Sequence, residues 1–181
     1  MNIALAKEYY EQLSDIQATV SSVLTVVPAS EPKIDIDLDS REITFPEEYK
    51  SFLSVATDHR AETVYFRVDR YFDGVDLSKY ACIIEYINAE NEGRIYPVIV
   101  KDLTSEAGKI IFGWCIGGEA TKSAGTIKFS VRFYQVNPTT RSFSYSLSTI
   151  PIENTILNGI GNVSESEIYE YDSTLIEEIF S

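Results

Sequence analysis

KIDIDLD, residues 33–39, alternates apolar and acidic side chains without interruption. Ile34, Ile36 and Leu38 fall on one side of the chain and Asp35, Asp37 and Asp39 on the other. That period of two is what a half-buried β-strand requires. Immediately upstream the period is different. Residues 1–25 contain no Gly or Pro, and Ala6, Tyr9, Leu13, Ile16, Val20 and Val23 recur at alternating steps of three and four. This spacing predicts a helix with a heptad seam. The seam has two readings: an amphipathic helix laid on its own domain, or an oligomerisation or docking segment. Under the second reading Tyr9, Leu13, Ile16 and Val20 are the interface residues. Pro28 and Pro32 place a linker over residues 26–32, because the residue before a proline is pushed out of helical geometry.

Downstream the β period persists. EITF, TVYFRV, ACIIEYIN, RIYPVIV, KIIFGWCI, TIKFSVRFYQV and SFSYSLSTI are rich in β-branched and aromatic residues. FDGVD, NAENEG, TSEAG, GGEATKSAG and NPTTR separate them with turn-forming residues. FPEEYKSFLSVATDHRA is a connection with a helical turn after Pro46. Short strands at this spacing predict a mostly-β domain over residues 33–150. Its expected form is an antiparallel β-sandwich, immunoglobulin-like or jelly-roll-like, with an N-terminal helix and a short C-terminal helix. Phe112 and Trp114 stand two apart, as do Phe129 and Val131, so each pair shares a strand face; with Ile84 they are the expected core. Cys82 and Cys115 lie in apolar runs and are read as unbridged, buried thiols.

Residues 151–181 change character. A loop with Gly159 and Gly161 over 151–163 leads to SESEIYEYDSTLIEEIFS, which predicts a short acidic helix. Ser164 to Glu167 and Thr174 to Glu177 both match a capping box. Leu175, Ile176, Ile179 and Phe180 form an apolar stripe that needs a surface, either its own domain's or a neighbour's.

Charge and composition narrow the function. The 181 residues carry a formal net charge of −13 and include 12 Tyr. Such a chain repels phosphate backbones, which argues against nucleic acid as a partner. The N-terminus has no basic segment followed by an apolar run, and no run approaches the ~18 apolar residues of a membrane span. The expectation is a protein made in a cytoplasm, with no membrane partner.

The inventory of chemistry is poor. His59 is the single histidine and sits in a polar connection. G-x-S-x-G, phosphate-loop and zinc spacings are all absent. Asp35, Asp37 and Asp39 lack the glycine turn of a calcium loop and are read as a solvated strand face that blocks edge pairing. Asp73-Gly74-Val75-Asp76 is read as a turn, and Gly117, Gly118 and Gly125 as permitting a reversal between the Trp114 and Phe129 strands. The expectation is no enzyme, no cofactor, no metal and no catalytic residue. A carbohydrate-binding module for host-wall recognition is an alternative, with Tyr65, Tyr71, Tyr80, Tyr86 and Tyr96 as the glycan-facing candidates.

Three stretches together carry a family resemblance: DHRAETVYFRVDRYFDGVDLSKY, IEYINAENEGRIYPV and IIFGWCIGGEATKSAGTIKFSVRFYQV. In order and spacing they resemble the N-terminal module of phage upper baseplate proteins and related prophage virion structural proteins of Gram-positive hosts. The resemblance covers roughly residues 33–150. It implies a β-sandwich that anchors a fibre or receptor-binding component to the tail tip, with other virion proteins as partners. It also implies location in the virion, after synthesis in the bacterial host cytoplasm. A homo-oligomer is expected, since virion components assemble with symmetry. The heptad-like helix ahead of the module departs from the pattern. The expected role is therefore a scaffold or adaptor in the tail baseplate or at the base of a fibre, with a capsid decoration or head-fibre protein as an alternative.

Overall fold

The computed structural model describes residues 30–159 and 164–180. The helix read over 1–25, with Tyr9, Leu13, Ile16 and Val20, lies outside the described residues, as does most of the linker. The described chain is mostly β. Its strands are β1 (Lys33–Ile36), β2 (Ile43–Thr44), β3 (Ser54–Val55), β4 (Glu62–Asp69), β5 (Tyr71–Phe72) and β6 (Val75–Asp76), followed by β7 (Ala81–Ile87), β8 (Gly93–Val98), β9 (Lys109–Ile116), β10 (Gly125–Asn137), β11 (Ser142–Ser148) and β12 (Ile152–Leu157). One α-helix follows, α1 (Glu165–Phe180). A single 3-10 turn, Glu47–Tyr49, stands where Pro46 predicts a helical turn.

A smaller sheet has the order β2-β1-β4-β9 and a larger one β3-β12-β10-β7-β8, with β11 also paired to β10. The long strand β10 organises the larger sheet. On one edge it pairs with β7, and on the other with β12 and then β11. A two-stranded hairpin, β5-β6, closes on Asp73-Gly74. Both turn residues have positive φ, 48° and 77°, as the tightest hairpin turns require.

The expectation of purely antiparallel pairing needs correction. β1 pairs parallel with β4, and β3 parallel with β12. Parallel neighbours need a crossover. The chain makes it by folding β2 back along the outer edge of β1, passing to the larger sheet as β3, and returning as β4 on the other side of β1. β1 therefore has partners on both edges. Its acidic face does not guard a free edge, contrary to the sequence reading.

Alternation works as expected in the core. Phe66 of β4 stacks on Phe112 of β9, with ring centroids 5.1 Å apart. Rings of the larger sheet meet them edge-on: Phe129 lies 6.0 Å from Phe66 and 5.2 Å from Trp114, and Phe133 lies 6.3 Å from Phe112. The two sheets thus contribute to one hydrophobic cluster. Each such ring pair adds about 0.5–1.5 kcal/mol beyond simple burial. Ile84, Phe112, Trp114, Phe129 and Val131 are all buried, as the alternation predicts. Both cysteines are free.

Two local expectations fail for identifiable reasons. The segment 151–163, read as a loop, contains β12, which pairs with the first half of β10. Asn154 occupies an inward position there. Its amide donates to the Tyr49 carbonyl at 2.8 Å, so a polar residue interrupts the apolar alternation of Ile152 and Ile156. At the helix, Ser164 and Glu167 form the predicted capping box, with backbone N–H to side-chain oxygen distances of 3.1 and 3.2 Å. Thr174 caps nothing; it lies inside α1, and its hydroxyl donates to the Glu170 carbonyl at 3.0 Å.

Candidate functional site

Asp76, Asn88 and Thr121 close turns. Asp76 accepts from the backbone N–H of Ser78 at 3.1 Å and from its hydroxyl at 2.6 Å. It also pairs with both Nε and Nη2 of Arg70 at 3.1 Å. The Arg70 guanidinium, then the Ser78 donors, hold the Asp76 carboxyl down from 3.8 to about 2. Asn88 is buried in the β7–β8 turn. Its carbonyl oxygen accepts from the N–H groups of Glu90 and Glu92, and its amide donates to the Glu119 carbonyl at 3.0 Å. This side chain joins the hairpin to the 3-10 turn Gly118–Thr121. Thr121 ties that turn to the other connection through its hydroxyl, which donates to the Asp58 carbonyl. These motif residues set the fold.

Lys101 was not singled out from the sequence. It is 1% exposed, and its ammonium donates to the Ser78 and Tyr80 carbonyls at the end of the short turn Leu77–Lys79. A cation there satisfies carbonyls that the turn leaves open. Burial lowers its pKa. The visible signal was a lysine inside the apolar run PVIVKDL.

The sequence-derived site candidates do not converge. Tyr86 and Tyr96 pack against Trp114, with centroids 5.5 and 6.5 Å away. Tyr80 pairs with Tyr145 at 4.6 Å, and Tyr71 lies under the Arg70 guanidinium. Tyr65 points outward from the smaller sheet beside Gly113. These tyrosines do not line one surface. His59 is exposed and abuts Gly117, where an added Cβ would come within 2.7 Å of the Arg60 nitrogen and 2.8 Å of His59 Nδ1. Gly117 is thus required by close approach. Burial pushes the Cys82 thiol up to about 12. Among the described residues no three His, Cys, Asp or Glu side chains are grouped to hold a metal ion, and no helix is long and apolar enough to cross a membrane.

What the structure does assemble is a surface. On the outer face of the larger sheet, β7 presents Ile83, Glu85 and Ile87, β8 presents Ile95 and Pro97, and β10 presents Lys128, Ser130 and Arg132. Ile95 is 62% exposed and Ile87 42%. A shallow depression of about 530 Å³ lies here, lined by Glu85, Ile87, Ile95, Lys128, Ser130 and Pro151. The small Ser130 and Gly93 leave room between the larger side chains. Arg132 Nη2 donates to Glu85 Oε2 at 3.2 Å, while its Nε lies 3.0 Å from Oε1 without hydrogen-bond geometry. Lys128 makes no salt bridge among the described residues, although Glu153 is its neighbour in register. Ile150, next to Pro151 in sequence, and Phe143 are also exposed. Apolar side chains gathered on one strand face offer a surface that a partner could cover. Compared with known proteins, the sequence matches no protein-family model and no curated protein.

Proposed function

We propose that this chain is a non-catalytic structural protein of a tailed bacteriophage particle, a scaffold or adaptor in the tail baseplate or at the base of a fibre. Its two sheets form the sandwich module of that scaffold, and its partners are other virion proteins and further copies of itself. The observation that carries the reading is the apolar outer face around Ile87 and Ile95, which offers a surface for attachment. The resemblance of residues 33–150 to the baseplate module supports it in sequence. A stable β core held by aromatic contacts and closed turns suits a part that must bear load and present surfaces. The dispersal of Tyr65, Tyr71, Tyr80, Tyr86 and Tyr96 speaks against a glycan platform.

The test is localisation. Particles produced by a host that carries the gene are purified, analysed by mass spectrometry, and labelled with gold-conjugated antibody against the β domain for electron microscopy. The expected result is the protein in the particle with label at the tail tip. Label on the head would move the assignment to a decoration or head-fibre protein. Absence from purified particles would overturn the structural role altogether.

A further inference from the structure

We infer that α1 of one copy seats on the apolar outer face of the larger sheet of a second copy, so that identical chains join head to tail. This deepens the assembly role proposed above and rests on it only for the expectation that copies meet. Two surfaces of the described chain are left without a partner. One is the sheet face around Ile87, Ile95 and Pro151. The other is α1, which buries none of its residues. Ile168, Leu175, Ile176 and Ile179 share one side of the helix, and Phe180 is 83% exposed. A helix of 16 residues with that much open apolar surface is marginal alone in water and is stabilised by a groove.

Charge selects the occupant. α1 carries Glu165, Glu167, Glu170, Asp172, Glu177 and Glu178 and no basic residue. Pairing α1 with another α1 brings like charges together. The segment 2–24 is also acidic, with Lys7 against Glu8, Glu11 and Asp15. Elsewhere on the described surface Lys50, Arg67, Arg70, Lys109 and Lys122 are held by the chain's own carboxylates in ion pairs. Lys128 is different, because it stands in an apolar depression without a salt bridge. A helix that offers apolar side chains flanked by carboxylates matches that combination. Its last turn has no basic residue to offset the negative end of the helix dipole, and Lys128 supplies one. Because the two surfaces differ, the contact is heterologous. Repeated copies then form a ring or a chain, the arrangements open to head-to-tail contacts.

The test uses the full chain and two double variants at exposed positions. Ile176→Asp with Ile179→Asp breaks the helix surface; Ile87→Asp with Ile95→Asp breaks the sheet face. Cooperative denaturant unfolding verifies that each variant is folded. Solution mass is then measured across a concentration series. The expected result is that the unaltered chain assembles, each variant alone stays a single chain, and an equimolar mixture forms a two-chain complex that grows no further. Lys128→Glu in the otherwise unaltered chain should weaken assembly about two- to five-fold, the scale of one exposed ion pair. The inference is overturned if the unaltered chain is a single chain at every concentration. It is equally overturned if either variant alone assembles like the unaltered chain, or if the mixture fails to pair. None of these outcomes bears on whether the protein resides in a phage particle, which the labelling experiment decides separately.

Discussion

The outer faces of the two sheets are built from the same alternation and differ in what fills its outward half. On the smaller sheet the outward residues of β1, β4 and β9 include Asp35, Tyr65, Arg67, Asp69 and Lys109. Arg67 donates to both oxygens of Asp35 at 2.7 and 3.0 Å and also to Glu106 at 3.2 Å, while Lys109 pairs with Asp69. On the larger sheet the outward residues include Ile83, Ile87, Ile95 and Pro97. One face closes its charges on itself and rests in water. The other keeps apolar area open. The contrast teaches that inward residues explain why ACIIEYI is a strand, but they do not explain Ile83 and Ile87. Apolar side chains on both sides of a strand call for a second covering.

The core common to both faces offers the largest effect. Trp114→Ala should destabilise the protein by about 3–5 kcal/mol, since it removes a ring packed by both sheets. Denaturant unfolding should show a single transition with a lower midpoint. Loss of structure in one sheet alone, followed by hydrogen exchange, would show that the two faces belong to independent units and that comparing them is misplaced.

Acid should act on the β5-β6 hairpin with a smaller amplitude. The Asp76 carboxyl is held at about 2 by Arg70 and Ser78, below its ordinary 3.8. A depressed carboxyl stabilises the fold above its unfolded value, and that contribution disappears as the pH falls from about 4 through about 2. Asp76→Asn should therefore cost about 1–2 kcal/mol at neutral pH and little at pH 2. Urea unfolding of both proteins across this range would reveal the convergence. A constant difference at all pH values would contradict the ion-pair origin.

A paired substitution sharpens the contrast between faces. Arg67→Ala should cost up to about 1 kcal/mol, diminish in high salt, and leave assembly unchanged. Ile95→Asp should change stability by less than about 0.5 kcal/mol, because the side chain is mostly exposed, yet weaken assembly. The opposite pattern would assign the contact to the polar face. Smallest in consequence is thiol reactivity: in the native, unreduced protein Cys115 should label and Cys82 should not, and both should label after denaturation. Cys82 is buried, whereas Cys115 is only half-buried. A disulfide would leave neither free to label under denaturing conditions.

Much of this architecture is legible in the chain because strand period depends on local alternation. KIDIDLD, KIIFGWCI and TIKFSVRFYQV each place their apolar half in the core. Asp73-Gly74 forms its turn, and Ser164 caps α1. Pairing partners are not local, so parallel β1–β4 and β3–β12 could not be read from the residues they join. β12 was hidden because Asn154 takes an inward position through a hydrogen bond to Tyr49, distant in sequence. Asp35 read as solvated because its partner Arg67 follows 32 positions later. The contact surface was missed for a related reason. Ile87 and Ile95 looked like ordinary strand residues, and only the register Glu85↔Ile95 and Ile87↔Gly93 aligns them into one apolar face.

The most direct test of the account is side-chain footprinting by hydroxyl radicals, applied to the purified single chain and to the assembled particle. The account predicts that Ile87 and Ile95 lose reactivity on assembly while Tyr65, on the opposite sheet, keeps its own. Protection of Tyr65 with Ile95 unchanged, or no change at either face, would contradict it.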